Sequence, residues 1–213
     1  MKTLAKNTLK YSLVGLMTSS AIVTGAMIDS ARAEDSPWLI RARVVTVVPD
    51  ESASVTGLGG SVDIDTSVIP EIDITYFFAE NWAAELVLGT SNHAVTATPS
   101  NIDLGDVWLL PPTLTLQYHF APKAQFRPYI GAGVNYTIFY GADKGAVASI
   151  EYDNAFGFAL QGGMDYDLGN NWVFNVDVKK IWLSTDVSIN GGAITADVDI
   201  DPWFFGTGIG YRF

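Results

Sequence analysis

The chain has 213 residues and no cysteine; 48% are apolar, only 16% are charged, and the formal net charge is −11. That length suits one domain or at most two, and the missing thiols exclude a disulfide scaffold, a thiolate metal site and a cysteine nucleophile. The acidic balance excludes a nucleic-acid partner, which needs clustered Lys and Arg, and no cofactor motif is present.

The first element is an address. Lys2, Lys6 and Lys10 precede an apolar stretch from about Leu13 to Met27, and Ala31-Arg32-Ala33 follows. A basic start, a short apolar middle and a small-x-small end predict a secretory signal peptide over 1–33, leaving 34–213 as the mature domain. A membrane anchor fits less well. Gly15, Thr18, Ser19, Ser20, Thr24 and Gly25 dilute the stretch, and a spanning helix needs about 20 predominantly apolar residues. Cleavage removes Lys2, Lys6, Lys10 and Arg32 against Asp29 alone, which takes the net charge from −11 to −14. A secreted chain without cysteine is most at home in a bacterial envelope.

Beyond Ala33 the hydrophobic period is two, and eight strands are predicted in turn. Trp38, Ile40, Ala42 and Val44 alternate with Leu39, Arg41 and Arg43. Ile72, Ile74, Tyr76 and Phe78 alternate with Glu71, Asp73, Thr75 and Phe77. Trp82, Ala84, Leu86 and Leu88 oppose Ala83, Glu85, Val87 and Gly89. Pro112, Leu114, Leu116, Tyr118 and Phe120 oppose Thr113, Thr115, Gln117 and His119. Ile130, Ala132, Val134, Tyr136 and Ile138 oppose Tyr129, Gly131, Gly133, Asn135 and Thr137. Phe158, Leu160, Met164, Tyr166 and Leu168 oppose Ala159, Gln161, Gly163, Asp165 and Asp167. Trp172, Phe174, Val176 and Val178 oppose Val173, Asn175, Asp177 and Lys179. The last strand sets Trp203, Phe205, Ile209, Tyr211 and Phe213 against Phe204, Gly206, Gly208, Gly210 and Arg212.

The connections alternate in length. Links at Ala79–Asn81, Ala121–Arg127 and Gly169–Asn171 are short; those at Asp50–Val68, Ser91–Trp108, Gly141–Asn154 and Val187–Asp201 are long and polar. This is the plan of an up-and-down meander with one decorated end. A soluble barrel puts bulk inside and polar groups outside; a membrane barrel inverts this. Here one strand face holds the large aliphatics and aromatics, and the other holds small and charged residues. Strands of about 9 to 11 residues also suit a tilted crossing. The expectation is an all-β, eight-stranded antiparallel transmembrane β-barrel with short periplasmic turns and long extracellular loops.

The lumen charges are Arg41, Arg43, Glu71, Asp73, Glu85, Asp165, Asp177, Lys179 and Arg212. An eight-stranded barrel is just wide enough for side chains to fill it, so these charges are expected to pair and close the lumen. His93 is assigned to a long loop and His119 to a strand end, with no nucleophile elbow or metal-spaced partner. No metal site is assigned. Asp197, Asp199 and Asp201 could attract a cation, though acidic residues at a strand's outer end explain them better. The loops carry apolar residues that a mere cover would not need: Leu58, Val62, Ile102, Leu104 and Trp108 among them. Either they lengthen the barrel and line an apolar vestibule, or they pack on each other.

The run Pro111-Pro112-Thr113-Leu114-Thr115-Leu116-Gln117-Tyr118-His119-Phe120, followed by Arg127-Pro128-Tyr129-Ile130-Gly131-Ala132-Gly133, resembles the outer membrane protein W (OmpW) family. Asp73-Ile74-Thr75-Tyr76 running into Asn81-Trp82-Ala83-Ala84-Glu85-Leu86 is similar too, as is the closing Asp201-Pro202-Trp203 to Tyr211-Arg212-Phe213. The resemblance implies an outer-membrane barrel with an apolar upper channel for small hydrophobic compounds, released sideways because charges block the periplasmic end. It implies lipid and lipopolysaccharide around the barrel. Tyr211 and Phe213 are similar to the terminal signal read by the barrel-assembly machinery. By analogy Val87 and Lys179 narrow the channel. Lys179 replaces the bulky aromatic of some relatives and is expected to form a charged plug with Asp177 or Glu85. The alternatives are a surface receptor with an inert lumen and, a distant third, a lipid enzyme, for which no Ser or His cluster is found.

Overall fold

The computed structural model describes residues 36–56 and 60–213. The expected signal peptide and Leu58 lie outside the described residues. What is described is all strand: β1 (Trp38–Val48), β2 (Ser52–Val55), β3 (Ser61–Ile64), β4 (Ser67–Phe77), β5 (Trp82–Gly89), β6 (Ser91–Thr98), β7 (Ile102–Leu110), β8 (Thr113–His119), β9 (Phe126–Tyr140), β10 (Ile150–Tyr152), β11 (Ala155–Gly169), β12 (Trp172–Ile189), β13 (Ile194–Asp199) and β14 (Trp203–Arg212).

Eight of these close a ring in the order β1, β4, β5, β8, β9, β11, β12, β14 and back to β1, each pair antiparallel. The closing seam runs from Leu39↔Arg212 to Val48↔Trp203. Closure leaves no unpaired edge in the wall. The short turns and the seam's Leu39 and Arg212 end lie together; the long connections rise from the opposite rim. At the foot, Asn170 and Asn171 both have positive φ (51° and 68°) between β11 and β12. Asparagine tolerates this region, which matches the twist of a tight hairpin.

The predicted phase holds throughout the ring. Ile72, Leu114, Leu116, Ile130, Val134, Phe158, Leu160, Phe174 and Ile209 are exposed on the outer face, and Arg41, Asp73, Thr75, Glu85, Gln117, His119 and Asn175 are fully buried inside. Ring pairs gather at the foot of the outer belt: Trp38–Tyr76 (4.7 Å), Trp82–Tyr118 (5.0 Å) and Trp172–Tyr211 (5.2 Å). Phe213 is exposed beside Tyr211, their centroids 5.2 Å apart.

The long connections are not loops. They contain β2, β3, β6, β7, β10 and β13, and β9, β11 and β12 run on to 15, 15 and 18 residues. β2 pairs β13 and β13 pairs β12; β3 pairs β6, β6 pairs β7, and β7 pairs the top of β9. The wall therefore continues past the ring. At about 3.3 Å per residue, β12 reaches roughly twice the thickness of a hydrocarbon layer. The 9 to 11 residues expected per strand hold for β1, β4 and β14 and are exceeded in β9, β11 and β12, where the alternation changes sense instead of stopping.

Candidate functional site

Two chambers share one wall. In the lower chamber the inward side chains are polar and nearly all paired. Arg41 sends Nη1 to Asp73 (2.8 Å) and Glu85 (3.2 Å) and Nη2 to Asp165 (2.6 Å). Arg43 meets Glu71 (3.0 Å) and Asp73 (2.8 Å), with Asp177 at 3.5 Å and Glu85 at 3.6 Å. Two guanidinium groups thus hold five carboxylates that come from β4, β5, β11 and β12. Gln161 bridges the cluster, donating to Glu85 (2.8 Å) and Asp177 (2.9 Å) and accepting from Thr115 (3.0 Å). Tyr129 donates to Asp177 (2.9 Å) and accepts from Asn175 (3.1 Å). Its ring folds over Gly163 across the β9–β11 pair, where a Cβ would lie 2.4 Å from the ring. Only glycine fits there, so β11 makes room for the tyrosine that ties the cluster to β9. Buried charges of this kind persist only when paired and hydrogen-bonded.

One sequence-based expectation needs correction in this chamber. Lys179 is buried and its charge acts on Glu85, but no close ion pair joins it to Asp177 or Glu85, so the plug is not the clasped pair expected from the sequence. Its register neighbours are Gln161 and Phe204, which puts it where polar lining gives way to apolar lining. Val87 is buried on β5 beside Asp73 and Thr113 in register. Arg212 stands at the foot of the barrel, below the two-arginine cluster, with its guanidinium 4.5 Å from the Phe77 centroid and Nε donating to Ser36 O (3.2 Å).

Above, the lining inverts. A cavity of about 490 Å³ is enclosed by Val47, Val95, Leu104, Val107, Leu109, Phe139, Ile181, Leu183, Val187, Ala196, Val198 and Phe204, among others, and no Asp, Glu, Lys or Arg belongs to its described lining. Val62, Ile102 and Leu104 line it as expected. Trp108 does not. Val107 and Leu109 take the inward positions of β7, so the strand period turns Trp108 outward, 6.3 Å from the Tyr140 ring. Asp197 and Asp199 point outward from β13 and are exposed, and no metal-binding group of three or more His, Cys, Asp or Glu occurs among the described residues.

His93 is the site residue that sequence reasoning missed. The sequence around it reads as a loop, but it stands on β6, 4% exposed, in the cavity wall. Nδ1 lies 2.6 Å from the Asp65 carbonyl oxygen, and burial pulls the imidazole below its usual range. Tyr152 also lines the cavity, stacks on Phe139 (5.7 Å, 13°), and its phenol is pushed up to about 12 by burial. The one signal that could have found His93 is the parity it shares with Val95 and Ala97.

Comparison with known proteins agrees with this plan. A family model described as the OmpW family matches residues 34–213. The outer-membrane protein y4mB of Sinorhizobium fredii is 45% identical over 84% of this chain and 80% of its own length. The dibenzothiophene metabolism operon protein DoxH of Pseudomonas sp. is 32% identical over 85% of this chain and 90% of its own. The crystal structure of the outer membrane protein OprG from Pseudomonas aeruginosa superposes with a TM-score of 0.79 at 33% identity, covering 85% of this chain and 98% of that one.

Proposed function

The chain belongs to the OmpW family and is an outer-membrane β-barrel, and from that premise we propose that it takes up small hydrophobic molecules. The observation that carries this reading is the uncharged 490 Å³ cavity set above a lumen filled with ion pairs. An apolar solute gains by leaving water for such a wall, at about 25 cal/mol per Å² of apolar surface removed from water. It cannot continue along the axis, because it would have to displace charges that have no other partners. The exit it has left is sideways through the wall at the level of the cavity's base, where the lipid-bathed half begins. A relative supports this reading: DoxH takes its name from dibenzothiophene metabolism, and dibenzothiophene is a flat apolar compound.

On this reading Val87 and Lys179 narrow the lumen just beneath the cavity, Lys179 beside the lining residue Phe204. Cleavage after Ala33 gives the mature barrel, and the family match beginning at residue 34 supports that boundary. Lipid and lipopolysaccharide surround the outer belt, and Tyr211 and Phe213 are the groups the barrel-assembly machinery reads. A surface-receptor role would instead lodge on the outer face of the upper strands, where Asp103, Asp106, Asp197 and Asp199 are exposed.

The test is an uptake assay in reconstituted vesicles with an apolar solute and a polar one of equal size. Faster entry of the apolar solute is expected, and faster entry of the polar one overturns the reading. Lys179→Ala addresses the narrowing: conductance should rise while the barrel stays folded. Unchanged conductance and unchanged uptake together would remove Lys179 from the channel.

A further inference from the structure

Among the cavity's apolar walls, β6 presents a short polar strip. Ser91 and His93 are two residues apart on one strand, so both side chains take the inward face, followed by Val95 and Ala97. Ser91 is 3% exposed and His93 4%, and both line the cavity. The imidazole is not free to choose its tautomer. A carbonyl oxygen can only accept, so the 2.6 Å contact with Asp65 O puts the proton on Nδ1. The Asp65 carbonyl is itself held in place, because the Asp65 N–H donates to Ala94 O (3.1 Å). Nε2 is then a bare acceptor, without a hydrogen-bond partner among the described residues. Ser91 Oγ likewise has none among the described residues. Neither group uses this hydrogen-bonding capacity on a described residue, which leaves it to an occupant of the cavity.

We infer that Ser91 and His93 form an anchor for the donor group of an otherwise apolar solute, so that the cavity prefers a phenol or a fatty alcohol to the hydrocarbon of the same shape. The inference rests on the hydrophobic-uptake reading and narrows it to a solute class. The acceptor at Nε2 takes the hydroxyl proton, and Ser91 Oγ can donate to the same hydroxyl oxygen. Most of what else the solute touches is hydrocarbon, with the hydroxyls of Thr137, Tyr152 and Thr185 among the other lining groups. A carboxylate is disfavoured, because neither Nε2 nor any described lining residue offers it a positive charge.

The experiment measures binding of 2-naphthol and naphthalene to the refolded full-length mature barrel, and compares the affinity ratio across variants. Wild type should favour 2-naphthol. His93→Leu should lower the ratio about 5- to 10-fold, the worth of one neutral hydrogen bond in a dry site, and Ser91→Ala should lower it about 2-fold. His93→Gln keeps a carbonyl acceptor near the Nε2 position and should recover part of the ratio. Folding of each variant is read from the heat-dependent gel mobility of the barrel. If His93→Leu fails to fold, Ser91→Ala and His93→Gln still decide the matter. Equal affinities in wild type, or a ratio that none of the folded variants moves, overturns the anchor while leaving the cavity reading intact. No binding of either solute overturns both.

Discussion

Below Lys179, the inward residues of β12 are Val173, Asn175 and Asp177; above it they are Ile181, Leu183, Thr185, Val187 and Ile189, apolar but for the one threonine. The outward residues change character with them: Phe174, Val176 and Val178 below, then Trp182 just above, and Ser184, Asp186 and Ser188 beyond it. β1 does the same, from Arg41 and Arg43 to Val45 and Val47. One continuous wall is therefore a membrane barrel in its lower half and a water-soluble barrel in its upper half. The lower half is a closed ring and the upper half is built of added ladders, β2–β13–β12–β10 and β3–β6–β7–β9, but both are strand walls with one face in and one face out. Where lipid bathes the wall, the inside must satisfy the polar groups. Where water bathes it, the inside can be dry, and a dry interior wider than its side chains becomes a cavity.

The largest effect should come from the lower chamber. Arg41→Met strips Asp73, Glu85 and Asp165 of a shared cation, and leaving a buried charge unpaired costs about 3–5 kcal/mol. The variant should unfold at markedly lower temperature or denaturant, read by loss of heat-modified mobility. Equal stability would mean that water, not ion pairing, satisfies that lumen. The matching change above is Leu183→Asp. It puts a carboxylate on the apolar lining, and uptake of an apolar solute should fall on the order of 10-fold or more, with the ring still closed. If the fold collapses instead, the upper chamber bears more of the stability than the comparison assigns to it.

The smallest effect concerns His93. Burial disfavours the imidazolium, so its titration followed by NMR should have a midpoint below 6.5. The sign for stability follows. As pH falls through 6.5 the unfolded chain takes up this proton first, so the folded state loses stability until the pH also passes the native midpoint. A midpoint at or above 6.5 would place the ring in water and break the contrast between the chambers.

Much of the ring was legible in the residues. Parity alone assigned Arg41, Arg43, Glu71, Asp73, Glu85, Asp165 and Asp177 to the lumen, and all are there. Their pairings were not legible, because Arg41 and Asp165 lie 124 residues apart and meet only when the ring closes. The upper strands were lost for a different reason. A reading keyed to bulk on the outer face ends each strand where bulk moves inside, as β12 does after Lys179. In β6 the signal is weaker still: Asn92, Ala94 and Thr96 outside differ little in polarity from Ser91 and His93 inside. Trp108 was misplaced because a residue assigned to a loop carries no parity at all.

Of the eight pairings in the ring, seven join strands that follow one another around the wall in chain order. The eighth, from Leu39↔Arg212 to Val48↔Trp203, joins the two ends of the described barrel. The entropy of closing so long a loop delays that pairing until the intervening hairpins have shortened the effective separation. Until then β1 and β14 each present a free row of amides and carbonyls, which lipid cannot satisfy and another chain could. The seam is thus the last contact to form and the first place where assembly can go astray, and glycines 206, 208 and 210 on β14 leave little side chain there to hold a wrong register.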